Sequence, residues 1–435
     1  MSNPDVIVAG GGPAGSSTAS FLRQRGRSVL VLERERFPRF HLGESLLPFG
    51  GDLYRELGVF DEIDRRYLHK PGARILHEES GESFTYYFDC AIDAHNPYAY
   101  QVPRGDFDQL LLDNARRLGA EVREETSVGK VAFHPDRVEV LARGPDGREF
   151  TVEAPMFVDA TGRDALVATA HQLKVPDEAI TTNVACYTHW QNARREPGVD
   201  EGNFTLLLFD GGWWWLIPFR GDVTSVGVVF EKSYTLARKG MSPAELYEGA
   251  LAEQREIRKI LDGATRVRPI ETTGNWSYRA TRFYGDRFLL AGDSAAFIDP
   301  LFSTGVLMAM QSGKYAAEAI DEALAADDFR AERFARYEER ALAGADLFKK
   351  LVHEFYGENL RRILIASGSN PTVCSIIVSL LAGDVYKKAM WHSVIRKRGF
   401  SRLAHQGEIP GLRPRSTRQI ARSSGGPPGD PPPSR

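Results

Sequence analysis

The sequence predicts an α/β protein: a Rossmann-type dinucleotide-binding domain, an antiparallel β-sheet substrate domain inserted into it, and a C-terminal helical region. Three observations carry that class. The first is a strand, glycine turn, helix and strand in immediate succession between Val6 and Glu33. The second is a change after residue 165, where longer alternating strands replace short buried ones. The third is a return, after residue 274, to a buried strand and a glycine turn that lead into a long apolar helix.

The opening unit is specific because its parts occur in order. Val6-Ile7-Val8-Ala9 reads as a buried strand, and Gly10, Gly12 and Gly15 follow with G-x-G-x-x-G spacing around Pro13 and Ala14. Such glycines serve a tight turn, close approach of backbone to a pyrophosphate, and close helix packing. Ser16 to Arg25 has a helical pattern, Ser28 to Leu32 is the next strand, and Glu33 stands where an acid accepts from a ribose hydroxyl. The chain has one such fingerprint, complemented by the distant Leu290-Ala291-Gly292-Asp293. Asp293 is placed to reach the ribityl or pyrophosphate part of a longer cofactor. One fingerprint with a second contact far along the chain favours a single FAD, with electrons delivered from outside.

Between these points lie the loop Gly43-Glu44-Ser45-Leu46-Leu47-Pro48 and then Lys70, which from the residues alone reads as a solvated surface group. Arg104 precedes a helix with Asp106 as its expected N-cap. It either pairs with pyrophosphate or approaches the flavin, or it makes a surface ion pair. Val138 to Leu141 and Glu149 to Ala154 flank a hairpin turn at 144–147. In the inserted region, alternation puts Trp213, Trp215 and Ile217 on one face of a strand that ends at Pro218. Aromatics in such a place are ordinarily core. Residues 242–263 read as one amphipathic helix.

Phe288 to Ala291 is the returning strand, Pro300 stiffens the loop after it, and a helix opens at Ser303-Thr304-Gly305 and continues through Val306. A helix start presents unpaired N–H groups and the positive dipole end, which suit an anionic flavin edge or a small anion beside it. The helical pattern from Phe329 to Arg362 carries Phe348, Phe355 and Tyr356, which either close the substrate side or pack on the domains beneath. The expected division is 1–165 with 274–328 as the FAD-binding domain (66–101 contributing to the substrate sheet), 166–273 as the substrate-side sheet, and 329–405 as the helical region. Residues 406–435, rich in Arg, Pro and Gly, form a disordered tail.

Composition limits the alternatives. At 435 residues, 42% hydrophobic and 26% charged, the chain is globular and too long for one ordinary core. A net charge of −3 provides no field for nucleic acid. The three cysteines lie far apart without metal-site spacing, so no metal is expected. The start has no secretory pattern, and the apolar run 375–383 is too short for a bilayer core of about 30 Å, so a cytoplasmic protein without a membrane span is expected.

With these segments placed, the chain resembles the flavin-dependent halogenases over roughly Asp5 to Phe355. The resemblance rests on the fingerprint, the Gly43 to Pro48 loop and Lys70 in a Lys-x-Gly-Ala setting. It also rests on the W-x-W-x-I-P of Trp213, Trp215, Ile217 and Pro218, and the F-x-x-P-x-x-S-x-G of Phe297, Pro300, Ser303 and Gly305. It implies that reduced FAD, supplied by a separate flavin reductase, reacts with O2 to a C4a-hydroperoxide that chloride or bromide attacks. The halide then sits at the backbone of Thr304 and Gly305, the tryptophan strand walls flavin from substrate, and hypohalous acid passes to Lys70, which delivers the halogen to an electron-rich ring. It further implies cofactor contacts at Gly10, Gly12, Pro13, Ala14, Gly15, Glu33, Ser45, Arg104, Asp293, Pro300 and Val306. Halogenases of free tryptophan resemble Glu-Ser-Thr-Gly where this chain has Phe302-Ser303-Thr304-Gly305. The likeness is thus to the phenol and pyrrole class, some of whose substrates ride on acyl or peptidyl carrier proteins. A reductase of the geranylgeranyl type, an aromatic hydroxylase and a silent flavin-binding protein are the competing readings. Lys70, Thr304 and Gly305 weigh against the first and last, and the lack of a nicotinamide site weighs against the hydroxylase.

Overall fold

The structure, a computed structural model, describes residues 3–176, 183–274, 277–356 and 371–386, together with the short strand Arg422–Ser423. One layer is a six-stranded sheet in the order Tyr284–Gly285, Phe288–Leu290, Met156–Asp159, Val6–Ala9, Val29–Leu32 and Glu121–Arg123. Its pairs are parallel except at the edge, where Tyr284–Gly285 runs antiparallel to its neighbour. All four residues of Val6–Ala9 are fully buried, as expected for a strand covered on both faces. Gly10 leaves that strand at φ 101°, and a β-carbon there would fall 2.2 Å from the Ala160 carbonyl oxygen, so the turn requires glycine. Helix Pro13–Gln24 follows. The later helix Gly305–Ala326 reaches the same end of the sheet, and its Ser312 Oγ accepts the Gly292 N–H at 2.8 Å.

The second layer is a larger sheet in the order Thr265–Arg266, Val184–Gln191, Val223–Phe230, Gly212–Pro218, Phe204–Phe209, Gly72–His77, Ser83–Tyr87, with Arg422–Ser423 beside the last. Phe204–Phe209 pairs parallel with Gly72–His77, and the neighbouring ladders are antiparallel. Trp213 stands opposite Leu208 and Val229, Trp215 opposite Leu206 and Gly227, and Ile217 opposite Ser225. The period of two therefore sends Trp213, Trp215 and Ile217 to one face. Trp214 and Leu216 go to the other, where they join Tyr247 and Ile257 in a separate apolar cluster. Leu68–Lys70 and Ala99–Gln101 form a two-stranded ladder of their own.

Several local expectations change. The helix expected over 242–263 is two helices, Pro243–Glu253 and Arg255–Leu261, broken where Gln254 is extended (φ −106°, ψ 131°) and its side chain accepts from the Trp214 indole. Asp106 is no N-cap: helix Arg104–Arg117 starts directly after Pro103, and the Asp106 carboxylate instead accepts from the Tyr67 hydroxyl at 2.7 Å. The long helix begins at Gly305 instead of Ser303, because Ser303 takes the left-handed conformation with φ 56°. Helix Ala335–Tyr356 buries Phe348 and Phe355 completely, so both are core and neither rims an opening. The tail 406–435 lies outside the described residues apart from Arg422–Ser423, as do 357–370 and 387–405 of the helical region. Among the described residues no helix is long and apolar enough to cross a membrane.

Candidate active site

A cavity of about 580 Å³ lies where the carboxyl ends of the parallel strands meet the tryptophan face of the large sheet. Its lining brings together Gly10, Gly12, Pro13, Ala14, Glu33, Ser45, Arg104, Asp293, Pro300, Thr304, Gly305 and Val306 with Trp213, Trp215 and Ile217. Three residues expected at the site do not line it: Gly15, Pro218 and Lys70. A β-carbon on Gly15 would fall 1.9 Å from the Gly10 carbonyl oxygen, so Gly15 serves helix packing.

At one end, Glu33 is buried and holds the glycine turn. Its Oε2 accepts the Gly11 N–H at 2.6 Å and its Oε1 accepts the Glu35 N–H at 2.8 Å. Each oxygen keeps a further lone pair for a ribose hydroxyl. Arg104 is neither exposed nor loosely paired. It forks onto the buried Asp108 carboxylate at 2.8 and 3.0 Å and donates from its remaining nitrogen to the Leu42 carbonyl. The surface ion pair weighed for it is thus a buried pair that fixes the 42–43 loop. Burial pushes the Asp293 carboxyl up to about 6, against the pull of Arg104 and Arg163.

Sequence reasoning missed two groups here. Glu44 is almost fully buried. Its Oε1 meets His189 Nε2 at 2.9 Å, while its Oε2 has no protein hydrogen-bond partner, nor has the Oγ of the neighbouring Ser45, and both residues line the cavity. Gly227 was the other. It is the gap in the sheet that admits the Trp215 indole, and no spacing in the sequence marks it.

At the far end, Asp299 caps a short turn by accepting the Leu301 N–H at 2.9 Å, and the left-handed Ser303 then aims the chain into helix Gly305–Ala326. The first N–H groups of that 22-residue helix have no intrahelical acceptor and stand at the cavity lining, which makes this end a place for an anion. Trp213 Nε1 donates to Tyr356 Oη at 3.2 Å and Trp215 Nε1 to Ser225 Oγ at 3.2 Å, so each indole is pinned by its polar edge.

Lys70 is 2% exposed on the ladder strand Leu68–Lys70. Its Nζ donates to the Leu46 carbonyl at 3.0 Å and lies 5.3 Å from the Phe88 ring and 5.5 Å from the Phe204 ring. Phe204 also lines the cavity, so the lysine stands behind a wall residue. Burial alone pushes its ammonium down to about 7.

These residues fit FAD. The cavity runs from the Glu33 carboxylate, past the helix start at Gly12, to the start of helix Gly305–Ala326 at Thr304. The unpartnered buried oxygens of Glu44 and Ser45 call for donors from a ligand.

Comparison with known proteins agrees. Residues 3–349 match the model of an FAD binding domain. The chain is 31% identical over 407 residues to a 1H-pyrrole-2-carbonyl-[peptidyl-carrier protein] chlorinase of Pseudomonas fluorescens, covering 88% of this chain and 89% of that one. This chain belongs to the flavin-dependent halogenases. It is therefore an FAD-dependent oxidoreductase. A tryptophan 2-halogenase of Chondromyces crocatus is 33% identical, with 83% of this chain and 69% of that one covered. Among solved structures, that of the flavin-dependent brominase Bmp2 superposes with a TM-score of 0.81 at 27% identity, covering 93% of this chain and all of that one. The halogenase fold, a nucleotide-binding α/β layer joined to an antiparallel sheet, is the one the sequence predicted.

Proposed function

We propose that this halogenase acts on an electron-rich phenol or pyrrole, presented on a carrier protein or free, and that Lys70 delivers the halogen. The observation that carries the reading is a buried lysine with a carbonyl and two aromatic rings around it, separated by Phe204 from a cavity that ends at the start of helix Gly305–Ala326. Two relatives act, by name, on pyrrole-2-carbonyl groups held by a peptidyl carrier protein, which supports a tethered ring.

Reduced FAD, with O2 and halide, supplies hypohalous acid. The chain's own residues do the rest. Glu33 and the Gly10–Gly12 turn hold the adenosine and pyrophosphate end, and Ser45, Arg104, Asp293, Pro300 and Val306 border the remainder. The N–H groups of Thr304 and Gly305 hold the halide. The face formed by Trp213, Trp215 and Ile217, on the strand that ends at Pro218, keeps the organic substrate from the flavin side. Lys70, with one N–H committed to Leu46, keeps its nitrogen lone pair free when neutral. It takes the halogen from hypohalous acid with release of water and passes it to the ring, and the ring proton returns to the amine. In this reading residues 1–165 with 274–328 bind FAD, 166–273 form the substrate-side sheet, and 66–101 contribute to that sheet. A separate flavin reductase feeds the site, because the chain has one dinucleotide fingerprint.

The test is reconstitution with FAD, a flavin reductase, NADH, O2 and chloride or bromide. A panel of phenols and pyrroles is offered free and loaded on a carrier, with mass spectrometry of the products. Halogenated rings that require the reductase are expected. Hydroxylated product, or rapid flavin reduction by NADPH without added reductase, would overturn it.

A further inference from the structure

We propose that Tyr356 is a positioning residue that locks the halide-binding loop to the tryptophan wall through a directed chain from Trp213 to Tyr356 to Asp299. The inference rests on the halide site proposed above and assigns it a support outside the cavity lining.

The direction of the chain is fixed by chemistry. An indole nitrogen only donates, so at 3.2 Å Tyr356 Oη must accept from Trp213 Nε1. An ionised carboxylate only accepts, so at 3.3 Å the Tyr356 hydroxyl must give its proton toward Asp299 Oδ2. Burial, with Asp299 beside it, pushes the phenol well above its ordinary value, and the hydroxyl keeps that proton. The other oxygen of Asp299 accepts the Leu301 N–H at 2.9 Å, so one carboxylate joins the tyrosine to the turn that precedes Ser303.

That turn needs support. Ser303 sits at φ 56°, a left-handed conformation that a non-glycine residue holds only when its surroundings demand it. Phe302, just before it, meets Phe355 edge-on at 6.1 Å with the rings 86° apart. Helix Ala335–Tyr356 thus grips the loop with two consecutive residues. The helix is itself anchored, since Tyr337 donates to the Leu290 carbonyl of the parallel sheet and Glu338 accepts the Phe283 N–H at 2.8 Å. The result sets the spacing between the Thr304 and Gly305 N–H groups and the Trp213 indole, and it leaves the glycine turn at the other end of the cavity untouched.

The test uses the full-length enzyme with FAD, reductase and a substrate that the wild type halogenates. Tyr356→Phe keeps the ring against Phe355 and removes the hydroxyl, and with it the hydrogen bonds to Trp213 and Asp299 and the interaction with Asn183. The expected result is a halide KM raised about three- to ten-fold, with kcat at saturating halide and FAD affinity each within about two-fold of wild type. A merely structural role would lower kcat or thermal stability and leave the halide KM alone, and that result overturns the proposal. Asp299→Asn and the double variant close a cycle: the double should be no worse for halide than the poorer single, and full additivity also counts against the chain. Where the variant folds poorly, Trp213→Phe breaks the same chain from its other end and should raise the halide KM likewise; an unchanged halide KM there overturns the proposal. Equilibrium halide titration, read from the absorbance of bound FAD, separates this proposal from the halogenation reading. Wild-type halide binding that weakens in Tyr356→Phe supports the chain even if no substrate in the panel is halogenated, and halide binding equal in both proteins overturns it.

Discussion

The Trp215 indole occupies the space beside Gly227 on the neighbouring strand, where a β-carbon would fall 2.2 Å from Trp215 Cζ2. The same strand supplies Ser225, which accepts the indole N–H at 3.2 Å. A gap and an anchor on one strand together lay the ring flat as part of the wall. Gly227→Ala should therefore tilt Trp215 and overpack the sheet, at a cost of about 1–3 kcal/mol. Thermal unfolding should show the loss, and turnover should yield more hydrogen peroxide per halogenated product. An alanine variant with unchanged melting and coupling would mean that the indole relaxes freely.

Lys70 gives a pH test with a definite sign. Its folded value of about 7 lies below the value of about 10.4 expected for an unfolded lysine. Between the two, the unfolded chain holds a proton that the folded chain does not, so raising the pH through this window favours folding. Below about pH 7 both states are protonated, and the penalty of burying the charge is fully present. Lys70→Met should thus be more stable than wild type near neutrality, with the gap closing as pH rises toward 10, followed by chemical denaturation across pH. The same titration governs activity. A neutral amine that accepts halogen predicts halogenation rising through about pH 7 to a plateau. A fall through pH 7 would instead assign the ammonium as a hydrogen-bond donor to hypohalous acid.

Much of this arrangement was legible because it is local. The strand and glycine turn at Val6 to Gly15, the Trp213 to Pro218 alternation and the strand before Gly292 each write their structure into adjacent residues. What was not legible depends on partners far along the chain. Lys70 alone reads as a solvated lysine. Only the pairing of Leu68–Lys70 with Ala99–Gln101, and the arrival of Phe204 from the large sheet, bury it. Arg104 reads as an exposed cation until Asp108 and the Leu42 carbonyl surround it. The Glu44–His189 contact joins residues 145 positions apart, and no spacing rule reaches that far.

Glu33 separates the cofactor end from the chemistry. One oxygen accepts the Gly11 N–H of the glycine turn and the other the Glu35 N–H, so Glu33→Gln exchanges one charged acceptor for an amide donor facing a donor. FAD affinity should fall about ten-fold or more, since a hydrogen bond to a charged group contributes roughly 1.5–3 kcal/mol. Titration of the apoprotein with FAD measures it. At saturating FAD the ratio of halogenated product to peroxide should stay at the wild-type value, because the 299–305 loop proposed to hold the halide is untouched.

Phe302 decides the last prediction, and the structure gives it a different place from the one expected of a channel wall. It is 7% exposed, packs edge-on to Phe355, and is not part of the cavity lining. A carboxylate at this position would be driven against the buried Phe355 ring. Phe302→Glu should consequently destabilise the protein and should not make it a tryptophan halogenase. In the wild type the position offers no base for the proton that a halogenated indole must lose. A phenol answers that need itself, since ionisation of its hydroxyl raises ring reactivity and the ring proton leaves to the amine or to water. Family membership does not settle the point, because a tryptophan 2-halogenase is among the relatives. Direct competition between a panel of phenols and pyrroles and free tryptophan does settle it. Halogenation ortho or para to the activating group is expected, with tryptophan at trace level. Efficient and regioselective tryptophan halogenation would show that a base elsewhere takes the proton, and it would leave Lys70 and the halide site as described.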